Sequence, residues 1–84
     1  MPLWQPYNES LESDVADLNN IANTGYGGAI TAALYLQRFV GEKIRWAHFD
    51  VFGWAPNSRS GRPKGGTAQG LRACFNTIEK FISA

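Results

Sequence analysis

The pattern of apolar and polar positions predicts a short helix, an extended segment, a buried helix, a central strand, a long loop and a terminal amphipathic helix, in that order. The buried helix has the clearest pattern. Residues 29–40, AITAALYLQRFV, are polar only at Thr31, Gln37 and Arg38. A helix that is apolar on almost every side is typical of one that protein covers all round. We therefore expect this helix to lie in a core.

Residues 43–52, KIRWAHFDVF, have the pattern of a central strand. Their β-branched and aromatic side chains fall on both faces of an extended chain, as they do in strands covered on both sides. A strand needs neighbours, and this chain offers at best one more, from residues 16–21 or from the N-terminal arm. The order of elements therefore indicates an α/β fold, of which residues 1–84 form a single, incomplete domain.

Local signals mark the N-terminal elements. Pro2 and Pro6 predict an extended arm, because proline lacks an N–H group and disfavours helix in the residue before it. Asn8 or Ser10 is a candidate cap for the short helix, whose first turn is acidic. Residues 23–28, NTGYGG, contain three glycines and predict a loop.

The C-terminal third predicts a polar loop followed by an amphipathic helix. Residues 53–66 are rich in glycine, proline and basic side chains. Thr67 is the candidate cap of the helix that follows. Helical spacing places the apolar residues of that helix on one stripe, formed by Leu71, Cys74, Phe75, Ile78 and Ile82.

Composition and charge narrow the classes of partner. Hydrophobic residues make up 44% of the chain and charged residues 18%, which is a globular composition. The aromatic content of 13% suggests more apolar surface than a free-standing chain of 84 residues hides. A net charge of +1 gives no overall field that would recruit nucleic acid. The apolar run at 29–40 is too short to span a membrane, so we expect no membrane partner.

Cysteine content and the N-terminus favour a cytoplasmic protein. Cys74 is the single cysteine, which excludes an internal disulfide and fits a reducing compartment. No basic segment followed by an apolar segment opens the chain, so we expect no signal peptide.

His48 and Asp50 are the first candidates for chemistry, because strand periodicity places them on the same face. A metal site needs at least a third ligand, and the sequence contains no other histidine. We favour the interpretation that both side chains form hydrogen bonds that anchor the strand end. A small metalloprotein that uses this pair is the least favoured hypothesis.

The stretch NSRSGRPKGGT, residues 57–67, is the second candidate, because it places basic residues and glycines before a helix. That arrangement can bind anions. It does not match the phosphate-binding loop, in which lysine follows the second glycine and directly precedes serine or threonine. We favour a solvated loop. A stand-alone binding or assembly module that uses the basic loop 59–64 remains the alternative function.

Five blocks of sequence, taken together, resemble the C-terminal end of the leucine aminopeptidase, or cytosol aminopeptidase, family. They are MPLWQPY, ADLNNI, AITAALYLQRFV, WAHFDVFGWA and a KGGT run that leads into the last helix. These blocks cover essentially the whole chain in the family's order. The resemblance implies that the chain is a C-terminal fragment of an α/β catalytic domain from a two-domain, hexameric exopeptidase that removes N-terminal residues from peptides.

The resemblance also implies where the chemistry lies. Family members bind two divalent metal ions, such as zinc or manganese, through a signature upstream of the matched region. That signature, Asn-Thr-Asp-Ala-Glu-Gly-Arg, is absent from this sequence. The stretches NTGYGG and NTIEK share only its first two residues. We therefore expect no metal ligand, no catalytic residue and no cofactor in this chain, and no activity of the chain alone. The expected partners are the upstream part of the catalytic domain, its peptide substrate and further copies of the chain.

Three residues match positions that line the substrate pocket in the family. Ile21 corresponds to a position on the side of the leaving residue. Phe52 and Ala55 correspond to positions that line the pocket for the N-terminal side chain of the substrate. Many members carry a small residue at the Phe52 position, so a phenylalanine there is expected to narrow or reshape the pocket.

Overall fold

The computed structural model describes residues 1–83 and divides the chain into two compact units, Met1–Asp50 and Val51–Ala84. The first unit contains a 3-10 helix and one α-helix, and the second contains a two-stranded hairpin and a C-terminal α-helix. The elements are the 3-10 helix Gln5–Leu11, α1 Gly28–Gln37, β1 Trp54–Ala55, β2 Gly65–Gly66 and α2 Leu71–Ser83.

The core of the first unit lies where the 3-10 helix packs against α1. The buried residues are Ser10, Leu11, Thr31, Ala33 and Leu34. A hydrogen bond from Arg38 Nη2 to Asn8 Oδ1, 3.2 Å long, also joins the end of α1 to the 3-10 helix. A few small and aliphatic side chains thus hold the two elements together.

The first helix begins at Gln5, at least four residues earlier than its candidate caps indicate. Neither Asn8 nor Ser10 caps it, because both lie inside the 3-10 helix, and the acidic residues 12–17 follow its end. Pro6 sits in the first turn, where helical N–H groups have no partner within the helix and a missing N–H costs nothing. The prediction of an extended chain through residue 7 and a helix after it was therefore wrong.

Residues 12–23 form a loop that returns to the end of the 3-10 helix. The Asn19 N–H donates to the Leu11 carbonyl at 2.8 Å, and the Asn23 N–H donates to the Ser10 carbonyl at 3.1 Å. The Asn19 side chain adds a hydrogen bond to the Glu12 carbonyl at 2.6 Å. These bonds fix both ends of the loop against the core.

Gly27 begins α1 in a conformation that glycine adopts readily. Its φ of 65° is left-handed, and its carbonyl accepts hydrogen bonds from the Ile30 and Thr31 N–H groups, each at 3.0 Å. A Cβ atom at this position would lie 2.9 Å from the Tyr7 ring, and Trp4 packs edge-on against that ring. The glycine therefore allows both the turn into α1 and the close approach of Tyr7.

We expect Gly27→Ala to lower the free energy of unfolding by about 2 to 4 kcal/mol, through left-handed strain and a clash with Tyr7. Chemical denaturation followed by circular dichroism measures this change. Gly25→Ala is the matched control, because no atom lies within 4 Å of its added Cβ, and it should change stability by about 0.5 kcal/mol or less. Equal effects of the two substitutions would contradict this account of Gly27.

The burial of α1 is one-sided. Ala33 and Leu34 are buried, whereas Leu36 and, just beyond the helix, Phe39 are exposed. The prediction of a helix that is covered all round thus holds for only one face of α1.

The predicted central strand is not formed within the described residues. Residues 45–53 have no regular secondary structure, and no backbone hydrogen bond joins residues 46–52 to another described residue. A strand exists only through the hydrogen-bond ladder to a neighbour, and the apolar pattern of 43–52 does not supply that neighbour. The sheet of this chain instead pairs Trp54 with Gly66 and Ala55 with Gly65.

In the second unit, the backbone pairing of the hairpin continues for one residue beyond β2. The Thr67 N–H donates to the Gly53 carbonyl at 2.8 Å, which continues the pairing of β1 and β2. Thr67 does not cap α2, so that prediction was wrong. Gly70, with a φ of 75°, turns the chain, and α2 starts at Leu71. The amphipathic helix is confirmed, but none of its residues is buried.

Candidate functional site

Ile21 lies at the exposed edge of an apolar groove in the first unit. Its side chain is 78% exposed, while its neighbours Asn20 and Ala22 line the groove against α1. The groove has a volume of about 340 Å³, and Leu11 and Tyr35 are among its other lining residues. The loop anchored at Asn19 and Asn23 therefore presents an apolar side chain beside a mainly apolar surface.

Phe52 and Ala55 flank the start of the hairpin in the second unit. Phe52 is 70% exposed, and Ala55 is half-buried opposite Gly65 on β2. Gly53 lies between them and accepts the Thr67 hydrogen bond. The hairpin thus fixes the backbone that carries both residues, while the phenyl ring of Phe52 stays open for contact.

His48 and Asp50 do not form the predicted anchor. His48 is half-buried, and its ring lies 6.5 Å from the ring of Trp46, measured between centroids. It lines an open cavity of about 270 Å³ together with Leu3 and Gln37. Asp50 is exposed. Neither side chain makes a hydrogen bond to another described residue, so the anchoring interpretation is not supported.

Nowhere in residues 1–83 do three or more histidine, cysteine, aspartate or glutamate side chains come together as a potential metal site. These residues therefore do not fit the two-metal centre that the family resemblance implies. Within the same residues, no helix has the length and apolar content needed to cross a membrane.

The three candidate pocket residues thus lie at exposed or half-buried positions on two separately described units. Comparison with known proteins identifies the class of this chain. The family model for the catalytic domain of the cytosol aminopeptidase family matches residues 1–75. The chain belongs to the cytosol aminopeptidase family.

Particular relatives agree with this assignment. The probable cytosol aminopeptidase of Geobacter sulfurreducens is 53% identical over 84 residues, which cover 98% of this chain and 16% of the relative. The cytosol aminopeptidase of Encephalitozoon cuniculi is 43% identical over 83 residues, which cover 96% of this chain and 17% of the relative. The chain therefore spans about a sixth of the length of the curated relatives that it matches.

A solved structure extends the agreement to the fold. The crystal structure of the cytosol aminopeptidase from Coxiella burnetii matches with a TM-score of 0.70 and 52% sequence identity, over 95% of this chain and 18% of that one. This match confirms the prediction of a partial α/β aminopeptidase domain, although the predicted central strand is not formed within the described residues.

Sequence reasoning missed two local features of the structure. One is the seating of Tyr7 on Gly27, which depends on residues twenty positions apart and leaves no short motif. The other is a direct backbone pairing of Arg59 with Arg62. The dipeptide Ser60-Gly61 between them is a common turn signal, and it could have indicated this pairing.

Proposed function

We propose that this chain forms part of the catalytic domain of a metal-dependent aminopeptidase that removes N-terminal amino acids from peptides in the cytoplasm. The family match over residues 1–75 carries this proposal. The relatives' names support the activity and the compartment, since they are cytosol aminopeptidases. The single cysteine, half-buried on α2, also suits a reducing compartment.

In this proposal the chain supplies part of the wall of the substrate pocket. Ile21 lies on the side of the leaving residue, and Phe52 and Ala55 face the N-terminal side chain of the substrate. The exposure of Ile21 and Phe52 supports this role, because large apolar side chains in the open are typical of binding surfaces. The phenyl ring of Phe52 restricts the length of the side chain that the pocket accepts.

The metal chemistry falls to residues outside this chain. The family resemblance implies two divalent ions, such as zinc or manganese, and the described residues bring no suitable group of ligands together. Residues in the part of the relatives that this chain does not match are therefore the proposed ligands and catalytic groups. This chain contributes binding surface and packing.

The exposed apolar surfaces are, in this proposal, contacts with the rest of the catalytic domain. They include one side of α1, the extended segment 46–52, for which no backbone hydrogen bond to another described residue is found, and the apolar stripe of α2. A protein stable as a monomer rarely leaves so many large apolar side chains in solvent, and an unpaired extended segment offers free N–H and C=O groups to another strand. Without that cover, the same surfaces drive self-association.

The isolated chain is expected to release no product from a chromogenic amino-acid amide in the presence of manganese or zinc, because residues 1–83 bring no group of metal ligands together. The measurement compares the rate with that of a control containing the metal alone. Turnover above the control that survives chromatography of the chain would contradict the proposed division of roles.

A further inference from the structure

The hairpin of the second unit concentrates positive charge. Residues 51–70 contain Arg59, Arg62 and Lys64, and they contain no aspartate or glutamate. All three side chains are exposed. The chain as a whole carries a net charge of only +1, so this charge is a local property of the hairpin.

The two arginines lie directly opposite each other. The Arg59 N–H donates to the Arg62 carbonyl at 2.8 Å, and the Arg62 N–H donates to the Arg59 carbonyl at 2.9 Å. Ser60 and Gly61 form the turn between them, and Gly61 has a φ of 71°. Residues that exchange both backbone bonds have Cα atoms about 5.5 Å apart. Their side chains project from the same face of the hairpin.

This arrangement is electrostatically unfavourable on its own. Like charges directly opposite each other destabilise an antiparallel pair. No described residue forms an ion pair or a side-chain hydrogen bond with Arg59, Arg62 or the ammonium group of Lys64. The backbone N–H of Lys64 donates to Ser58 Oγ at 3.1 Å, which fixes the Lys64 backbone beside the pair. Within residues 51–83, the hairpin therefore carries three cationic side chains with no ion-pair partner.

We propose that Arg59 and Arg62 form a clamp that binds a single oxyanion of the phosphate type, and that Lys64 adds a third positive charge. Each guanidinium group is a planar fork that donates two parallel hydrogen bonds to a phosphate or carboxylate. A tetrahedral dianion offers oxygens to both forks at once and cancels their repulsion. A monovalent carboxylate leaves part of that repulsion in place. The clamp does not depend on the aminopeptidase function.

Titration of the full chain, labelled with nitrogen-15, with inorganic phosphate at constant ionic strength tests the clamp. We expect saturating shifts of the Arg59, Arg62 and Lys64 amides, with a dissociation constant on the order of millimolar for an exposed ionic site. Acetate should bind at least tenfold more weakly. A second titration uses phenyl phosphate. Saturating shifts with this ligand, which we expect, indicate that the site accepts phosphate esters, whereas their absence indicates a site for free phosphate only. Linear shifts, or equal binding of acetate, would overturn the proposal.

Arg62→Glu separates loss of the clamp from loss of the hairpin. This change makes the cross-strand pair attractive. It should therefore weaken phosphate binding at least tenfold and slow hydrogen exchange of the Arg59 amide by about twofold to fivefold. Arg72→Ser, an exposed arginine on α2, is the matched control and should leave phosphate binding unchanged. Unchanged binding by Arg62→Glu, or equal loss in Arg72→Ser, refutes the clamp.

A second variant covers the case in which Arg62→Glu disturbs the hairpin and speeds exchange. Arg59→Gln combined with Arg62→Gln removes both charges and their repulsion while it keeps the turn. This double variant should lose the saturating shifts at Lys64, with exchange no faster than in the parent chain. Phosphate binding that survives in the double variant would show that the arginines are not the ligands.

Discussion

The isolated chain should sediment as a dimer or a larger species at low micromolar concentration. Leu71, Phe75, Ile78 and Ile82 follow each other at intervals of four, three and four residues, which places them on one face of α2. Phe75 is 64% exposed and Ile78 is 57% exposed. Burial of each such side chain contributes about 1.5 to 3 kcal/mol, so pairing of this face with another chain is favourable.

Phe75→Asp should raise the dissociation constant of the self-associated species by about tenfold to a hundredfold, because each 1.4 kcal/mol lost corresponds to a factor of ten. Val15→Asp is the matched control, since it makes the same charge change at a loop residue that is 97% exposed. It should alter the constant by about twofold or less. Sedimentation velocity over a range of concentrations measures both. A compact monomer under all conditions would refute self-association.

The second large effect concerns activity. Replacing the matched sixth of the Geobacter sulfurreducens relative with this chain should give a hybrid that hydrolyses amino-acid amides. The two segments are 53% identical over 84 residues. We therefore expect α1 and α2 of this chain to pack against the rest of the relative in the hybrid. The same relative without its matched segment is the baseline, and it should be inactive because its pocket and its core are incomplete.

The hybrid also allows a test of the pocket wall. If Phe52 limits the length of the substrate's N-terminal side chain, Phe52→Ala in the hybrid should raise kcat/KM for long side chains relative to alanine. A single methylene group in an apolar pocket is worth about 1 to 3 kcal/mol, which corresponds to discrimination of about tenfold or more. Trp54→Ala, a change at another exposed aromatic residue of the same segment, serves as the control for a general loss of packing.

Local signals predicted α2 well and its start poorly. The stripe of Phe75 and Ile78 follows from helical spacing, which is a property of neighbouring residues. The start depends on the turn at Gly70, whose positive φ the apolar pattern does not encode. Thr67 had the chemistry of a cap, but the hairpin uses its backbone N–H. Cap residues are common in turns as well, so composition alone could not separate the two uses.

Non-local pairing could not be predicted from this chain. The apolar pattern of residues 43–52 predicts a strand that is covered on both sides, yet no backbone hydrogen bond joins residues 46–52 to another described residue. The prediction of an extended arm at Pro6 failed for a different reason. Proline is compatible both with an extended arm and with the first turn of a helix. The family resemblance succeeded because the order and spacing of several blocks carry more information than any single motif.

The candidate site residues also differ in how they were chosen, either from the family resemblance or from a local pattern. Ile21, Phe52 and Ala55 came from the resemblance to family positions, and the exposure of Ile21 and Phe52 is compatible with a role in contact. Their place in a pocket stays a prediction. His48 and Asp50 were chosen from strand periodicity, and without the strand their proposed hydrogen bonds do not form.

The most direct measurement of the central claim is the rate at which the hybrid releases an N-terminal amino acid. The account predicts that the hybrid regains at least a tenth of the rate of the intact relative, whereas the relative without its matched segment and the isolated chain stay at the level of the metal control. A hybrid that is soluble and assembles like the intact relative, yet has no aminopeptidase activity, would contradict the claim that this chain completes a catalytic domain.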